Sequence, residues 1–227
     1  MYSVVNNLRD SGLACPLHDI MRIKNQAELE RWLAQGKATP ILPTELRSTA
    51  KTKPVDPSLQ RRIFGLDTAL RCTGWGMIDV RGNQLKAVDC GVIKNSPKAP
   101  FSDCLRCLSI SVRELIELYR PNIAVIEGGF YCRNVKTAMV LGSARGAVIA
   151  ALAEAGIPIH EYAPRRVKQA VCGFGNASKQ QVALLVAQFL AIQVDKMPLD
   201  SSDALALALC HAQNLTVAQG HGISPEI

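Results

Sequence analysis

The chain has 227 residues, room for one well-buried domain and an appendage, and 48% of them are apolar. No apolar run approaches the ~20 residues of a membrane span, and Met1-Tyr2-Ser3-Val4-Val5-Asn6-Asn7 lacks the pattern of a secretory signal, so a cytoplasmic protein with no membrane partner is expected. The formal charge of +7 (pI about 9.1) suits a polyanionic partner, although a merely basic globule has the same balance; the eight scattered cysteines do not suggest a disulfide scaffold, and Cys104-x-x-Cys107 reads as packing.

Residues 1–61 read as an N-terminal extension. A short amphipathic helix fits 25–33, and the proline- and charge-rich stretch 40–57 reads as a linker, a disordered leader or a DNA-gripping arm. From Arg62 the pattern tightens. Ile63-Phe64-Gly65-Leu66 is an apolar strand ending at Asp67. Strands follow over 74–80 and 84–93, joined by the turn Arg81-Gly82-Asn83. Helical spacing of Leu105, Leu108, Val112, Leu115 and Ile116 predicts a helix over 102–119. A buried strand, Ile123-Ala124-Val125-Ile126, ends at Glu127. A helix over 135–155, a strand over 157–162 and helices over 179–192 and 201–213 complete a domain spanning 62–215, with 216–227 as a flexible tail. The order β-β-β-α-β-α-β-α implies an α/β domain, a five-stranded mixed sheet flanked by helices, and resembles a ribonuclease-H-like core.

Four acidic residues stand out. Asp67 and Glu127 each follow an apolar strand, and the carboxyl ends of strands form the crevice where ligands bind in α/β sheets. Asp200 and Asp203 are three apart at the start of an apolar helix, so both lie on one helical face. Asp200-x-x-Asp203 also reads as a capping box with Asp200 as N-cap. A helix that is apolar all round is buried, however, and buried carboxylates need something to offset their charge. Magnesium or manganese would, being hard ions that prefer oxygen ligands. Two such ions ~3.5–4 Å apart can drive in-line displacement at a phosphodiester.

Several motifs resemble one known family. Gly65-Leu66-Asp67 with Thr73-Gly74-Trp75-Gly76, Ile126-Glu127 with Phe130 and Arg133-Asn134, and Leu141-Gly142-x-Ala144-Arg145-Gly146 resemble successive segments of the RuvC family of Holliday-junction resolvases. So do 161–169, Gly173-x-Gly175-x-Ala177-x-Lys179, and Asp200-x-x-Asp203-Ala204-Leu205-Ala206. The likeness runs in order from Ile63 to His211. It implies a homodimeric, metal-dependent endonuclease that nicks four-way DNA junctions symmetrically, with branch-migration proteins as plausible partners. Asp67, Glu127, Asp200 and Asp203 become metal ligands, with Mg2+ as the metal and Mn2+ as a substitute, and Lys179 joins them as a catalytic residue. Phe130, Arg133, Asn134, Arg145, Arg166, Lys168 and Lys179 become DNA contacts. Gly142 and Gly146 read as positions for close helix packing. Thr68-Ala69 stands where the family usually has Pro-Gly, and Gly128-Gly129 replaces bulkier residues, a change expected to loosen the loop carrying Phe130.

Other readings stay open at this level: a nuclease for another branched nucleic acid, or a junction-binding protein without activity. An actin-like kinase is a weaker one, since Gly65-x-Asp67 lacks the second phosphate loop such enzymes need.

Overall fold

The computed structural model describes residues 60–128, 134–194, 197–217 and 226. The expected helix over 25–33, the linker after it and most of the tail lie outside these residues. The elements in chain order are β1 (Arg61–Asp67), β2 (Cys72–Arg81), β3 (Gln84–Lys94), α1 (Phe101–Tyr119), β4 (Ile123–Glu127), α2 (Val135–Glu154), β5 (Ile159–Tyr162), α3 (Pro164–Cys172), α4 (Lys179–Phe189) and α5 (Leu199–Val217). The strands form one sheet in the order β3-β2-β1-β4-β5. β1 pairs antiparallel with β2, and β2 with β3; β1 pairs parallel with β4, and β4 with β5. This is the mixed sheet expected of a ribonuclease-H-like core.

Side-chain alternation explains the two cores. Successive strand residues face opposite sides of a sheet, so a strand covered on both sides reads as continuously apolar. In β1, Phe64 and Leu66 join the core beneath α1 and α2, while Ile63 joins the core beneath α3, α4 and α5. In β4, Ala124 and Ile126 take the first side, Ile123 and Val125 the second. Helix α1 inserts Cys104, Leu108 and Val112, spaced by four, as its apolar stripe. Each such side chain removed from water contributes about 1.5–3 kcal/mol for the larger aliphatics.

Helix α2 buries Ala144, Val148, Ala151 and Leu152. It is also the one helix among the described residues long and apolar enough, by length and composition, to cross a membrane. The sequence reading finds no such stretch because Lys136, Arg145 and Glu154 interrupt it. In the fold this helix covers one face of the sheet.

The structure differs from the sequence reading in several places, among them the end of α4 at Phe189 where 192 is expected and the run of α5 to Val217, past the expected domain bound at 215. Helix α3 is an addition, occupying a segment read only as basic; it starts with a proline at its first position and stops at Gly173 in the left-handed region, φ 82°. Strand β5 begins two residues later than expected. Helix α5 starts at Leu199, and the Pro198 carbonyl accepts from the N–H groups of both Ser201 and Ser202. Asp200 therefore lies inside the first turn and is not the N-cap.

Candidate active site

Parity along the strands decides where the acids point. Asp67 shares the side of Ile63 in β1, and Glu127 shares the side of Ile123 and Val125 in β4. Both carboxylates therefore leave the sheet on the face that α5 covers. The parallel register pairs Leu66 with Ile126, which places Asp67 and Glu127 side by side at neighbouring carboxyl ends.

Three glycines bring α5 down onto this face. A Cβ on Gly65 would come within 1.9 Å of the Ala204 carbonyl oxygen, and one on Gly74 within 1.8 Å of the Asp200 carbonyl oxygen. A Cβ on Gly76 would meet Leu205 Cδ2 at 2.6 Å. Backbone oxygens cannot swing aside as a side-chain end can, so only glycine lets the helix main chain rest on β1 and β2. That contact sets Asp200 and Asp203 over the strand carrying Asp67.

The electrostatics record the convergence. The Asp67 carboxyl is raised from 3.8 to about 7, first by burial and then by the charges of Glu127, Asp203 and Asp200, with Lys179 opposing. Burial and Asp203 likewise raise Glu127, against the pull of Lys179, Lys168 and Arg145. Lys179 Nζ lies 3.0 Å from Asp203 Oδ2, and this carboxylate holds the ammonium above its ordinary range. Lys179 is the first residue of α4, behind a Ser178–Gln181 capping box. A cation there opposes the helix dipole, so its placement serves the acidic cluster more than the helix.

Around the acids, the loop after β1 is tied without Pro-Gly. Thr73 Oγ1 donates to the Ala69 carbonyl at 2.6 Å and accepts from the Ala69 N–H at 3.1 Å. Ala69 is not among the positive-φ residues, so nothing there requires glycine. Cys72, which the sequence reading does not single out, places its Sγ 2.9 Å from Asp200 Oδ2; burial and this carboxylate push the thiol up to about 11. The two residues are 128 apart in the chain, and no local pattern signals the contact.

The expected DNA contacts divide. Phe130 and Arg133 lie outside the described residues. Asn134 is the N-cap of α2, its side-chain oxygen accepting from the N–H groups of Lys136 and Thr137. Arg166 donates to Asn214 Oδ1 at 3.2 Å, with its guanidinium 5.3 Å from the Tyr162 ring centroid. Lys168 lies within Coulomb reach of Glu127. Arg145 is engaged by Glu161 and by the Glu127 carbonyl. Among the described residues, a Cβ on Gly142 or Gly146 would have no atom within 4 Å. The close packing expected of them is absent among the described residues. Gly128 donates its N–H to the Tyr162 carbonyl at 2.9 Å and extends the β4–β5 pairing, while the loop carrying Phe130, expected to be loosened, lies outside the described residues.

Among the described residues no three or more His, Cys, Asp and Glu side chains stand close enough together to hold a metal ion by themselves. The acids are partly buried at the carboxyl ends of β1 and β4 and on the first turns of α5. An all-carboxylate set suits Mg2+, which keeps several waters and binds through one or two carboxylates together with substrate phosphates. Burial first, and then the like charges beside it, raise Asp67, and a divalent cation would offset both.

Comparison with known proteins accords with this geometry. Residues 63–211 match the family described as crossover junction endodeoxyribonuclease RuvC. The crossover junction endodeoxyribonuclease RuvC of Chloroflexus aurantiacus is 39% identical over 163 residues, 72% of this chain and 99% of the relative. That of Pelotomaculum thermopropionicum is 40% identical over 154 residues, 68% of this chain and 94% of the relative. Among solved structures, Thermus thermophilus RuvC in complex with a Holliday junction substrate superposes with a TM-score of 0.67 at 32% identity, covering 74% of this chain and 99% of that one. The chain belongs to the RuvC family of crossover junction endodeoxyribonucleases.

Proposed function

We infer that this protein is a Holliday-junction resolvase, a metal-dependent endonuclease that makes paired, symmetric nicks in four-way DNA junctions and leaves 5′-phosphate and 3′-hydroxyl ends. The observation that supports the mechanism is Asp67, buried within Coulomb reach of Glu127, Asp203 and Asp200 and raised to about 7, first by burial and then by their charges. These carboxylates would hold Mg2+, with Mn2+ as a substitute. Ions bound there activate a water and stabilise the leaving oxygen of a phosphodiester.

The chain's own residues do the rest. Lys179, 62% exposed and tethered to Asp203, meets the scissile phosphate and offsets negative charge that grows during displacement. Lys168, one turn into α3, adds a second cation beside Glu127. Arg166, Asn134, Arg133 and Phe130 belong to the DNA-binding surface, Phe130 by stacking on an unpaired base.

Symmetric nicking calls for two active sites. Val135 is 73% exposed and Met139 68% exposed, and they continue along α2 towards Gly142 and Gly146, which face open space. We assign this apolar face to the contact with a second copy. The cysteines among the described residues are all free thiols, which suits a protein of the cytoplasm. Branch-migration proteins are proposed as partners that deliver the junction.

The test is cleavage of a labelled four-way junction beside linear duplex and flap substrates, with and without Mg2+. Paired nicks on the junction alone, only with metal, support the reading. Preference for a flap would assign another structured substrate, and metal-independent binding without nicking would make the protein a silent binder.

A further inference from the structure

Arg145 projects from α2 towards the ends of β4 and β5. Its side chain is 12% exposed, and an arginine so enclosed is retained where its donors are satisfied. One guanidinium nitrogen donates to the Glu161 carboxylate of β5, the other to the main-chain oxygen of Glu127 at the end of β4. The peptide unit that carries this oxygen also carries the Gly128 N–H, which donates to the Tyr162 carbonyl at 2.9 Å. Both polar groups of the peptide leaving Glu127 are therefore engaged, one by α2 and one by β5.

The register fixes the residue before it. Ile126 pairs with Leu66 on one side and with Glu161 on the other. Glu161 closes the arrangement from below: a Cβ on Gly128 would stand 2.8 Å from Glu161 Oε2 and 3.1 Å from its Cβ. The chain thus passes hard against a carboxylate that Arg145 already holds. A planar two-pronged guanidinium can bridge a carbonyl and a carboxylate at once, which the point charge of a lysine does not reproduce.

A strand end is where ladder hydrogen bonds run out and the backbone is freest to move. Glu127 stands at such an end and must still present its carboxylate within a fraction of an ångström of one place. We propose that Arg145 and Glu161 are a positioning pair for Glu127, fixing the Glu127–Gly128 peptide so that the Glu127 carboxylate meets the other three acids. Arg145 then acts through Glu127 and is not a DNA phosphate contact. The inference rests on the reading of Glu127 as a metal ligand.

The test compares the full chain with Glu127→Gln, Arg145→Met, Arg145→Lys and the doubly neutral Arg145→Met/Glu161→Gln, which leaves no carboxylate unpaired. Mn2+ binding is measured without DNA from the free-ion electron paramagnetic resonance signal. Junction affinity is measured in chelator at several salt concentrations, and cleavage in single turnover at saturating junction. Near-ultraviolet circular dichroism confirms the fold at the working temperature.

Loss of a residue that orients a metal ligand typically lowers metal affinity or rate by about 10–100-fold. That loss is expected for Arg145→Met and the double variant, with junction affinity within about two-fold and an unchanged salt slope. Arg145→Lys should recover only part of the loss. A folded double variant with ordinary Mn2+ affinity and rate overturns the proposal. So does a weaker junction complex whose salt slope falls by about one with Mn2+ binding intact, the signature of a phosphate contact. If Glu127→Gln itself leaves Mn2+ binding unchanged, the metal-ligand reading fails first, and that outcome is separable from the others.

Discussion

Neutralising Asp67 is expected to stabilise the metal-free protein while abolishing its activity. In the folded chain this carboxyl titrates at about 7, against 3.8 for an unperturbed aspartate. Between those values the native state keeps a proton that the unfolded chain has released. Its contribution is therefore most favourable below pH ~4, declines as pH rises, and is an unrelieved penalty above ~7. At 1.36 kcal/mol per pH unit the full penalty is about 4 kcal/mol. Burial is its first cause and the neighbouring charges follow, so removing the charge by Asp67→Asn should recover ~1–3 kcal/mol.

The assay is urea unfolding in chelator at about pH 8 and pH 5, at fixed protein concentration. The gain should be largest near pH 8 and shrink near pH 5, where native Asp67 already carries its proton. Adding Mg2+ should reverse the ranking: ion at about 1,000 times its dissociation constant stabilises the wild type by about 4.1 kcal/mol and the variant by much less. A variant less stable than the wild type in chelator, or a difference that does not change with pH, would refute the claim that burial beside like charges raises Asp67.

Lys179→Ala is expected to lower single-turnover cleavage by about 10²-fold while changing stability by under ~1 kcal/mol, because its ion pair with Asp203 is largely exposed; equal rates at saturating DNA would return it to an ordinary surface residue. Gly74→Ala should cost ~3 kcal/mol in urea unfolding and lower metal affinity, since the new Cβ has the Asp200 carbonyl oxygen 1.8 Å away; an unchanged midpoint would show that α5 does not rest on β2. Met139→Asp should shift the protein towards monomer in sedimentation, since it puts a charge on the exposed apolar face of α2; an unaltered mass would remove this face from the dimer.

Much of this arrangement is legible in the sequence, and the exceptions share a cause. Ile63 to Leu66 and Ile123 to Ile126 are apolar throughout because both faces of each strand are covered, and the acid that ends each run marks the rim of the sheet. Helix α3 escapes the periodicity reading because Arg165, Arg166 and Lys168 crowd its short exposed face, although Pro164 and Gly173 bracket it with ordinary helix punctuation. The role of Asp200 turned on where α5 begins: a start at Leu199 puts it inside the first turn, a later one would have made it a cap. Gly65 and Gly74 are visible as motif residues, but the close approach of a helix backbone that requires them is a tertiary fact. Arg145 and Glu161 are 16 residues apart on different elements. Nothing local distinguishes such a pair from two solvated charges.

The central claim, that four converging carboxylates make this chain a metal-dependent junction nuclease, is tested most directly with Glu127→Gln on a labelled four-way junction, cleavage and binding being followed in the same samples as Mg2+ is raised. The wild type is expected to cut in proportion to metal occupancy, while the variant binds the junction with ordinary affinity and leaves it intact. Wild-type nicking by the variant, or nicking by either protein in chelator, would contradict it.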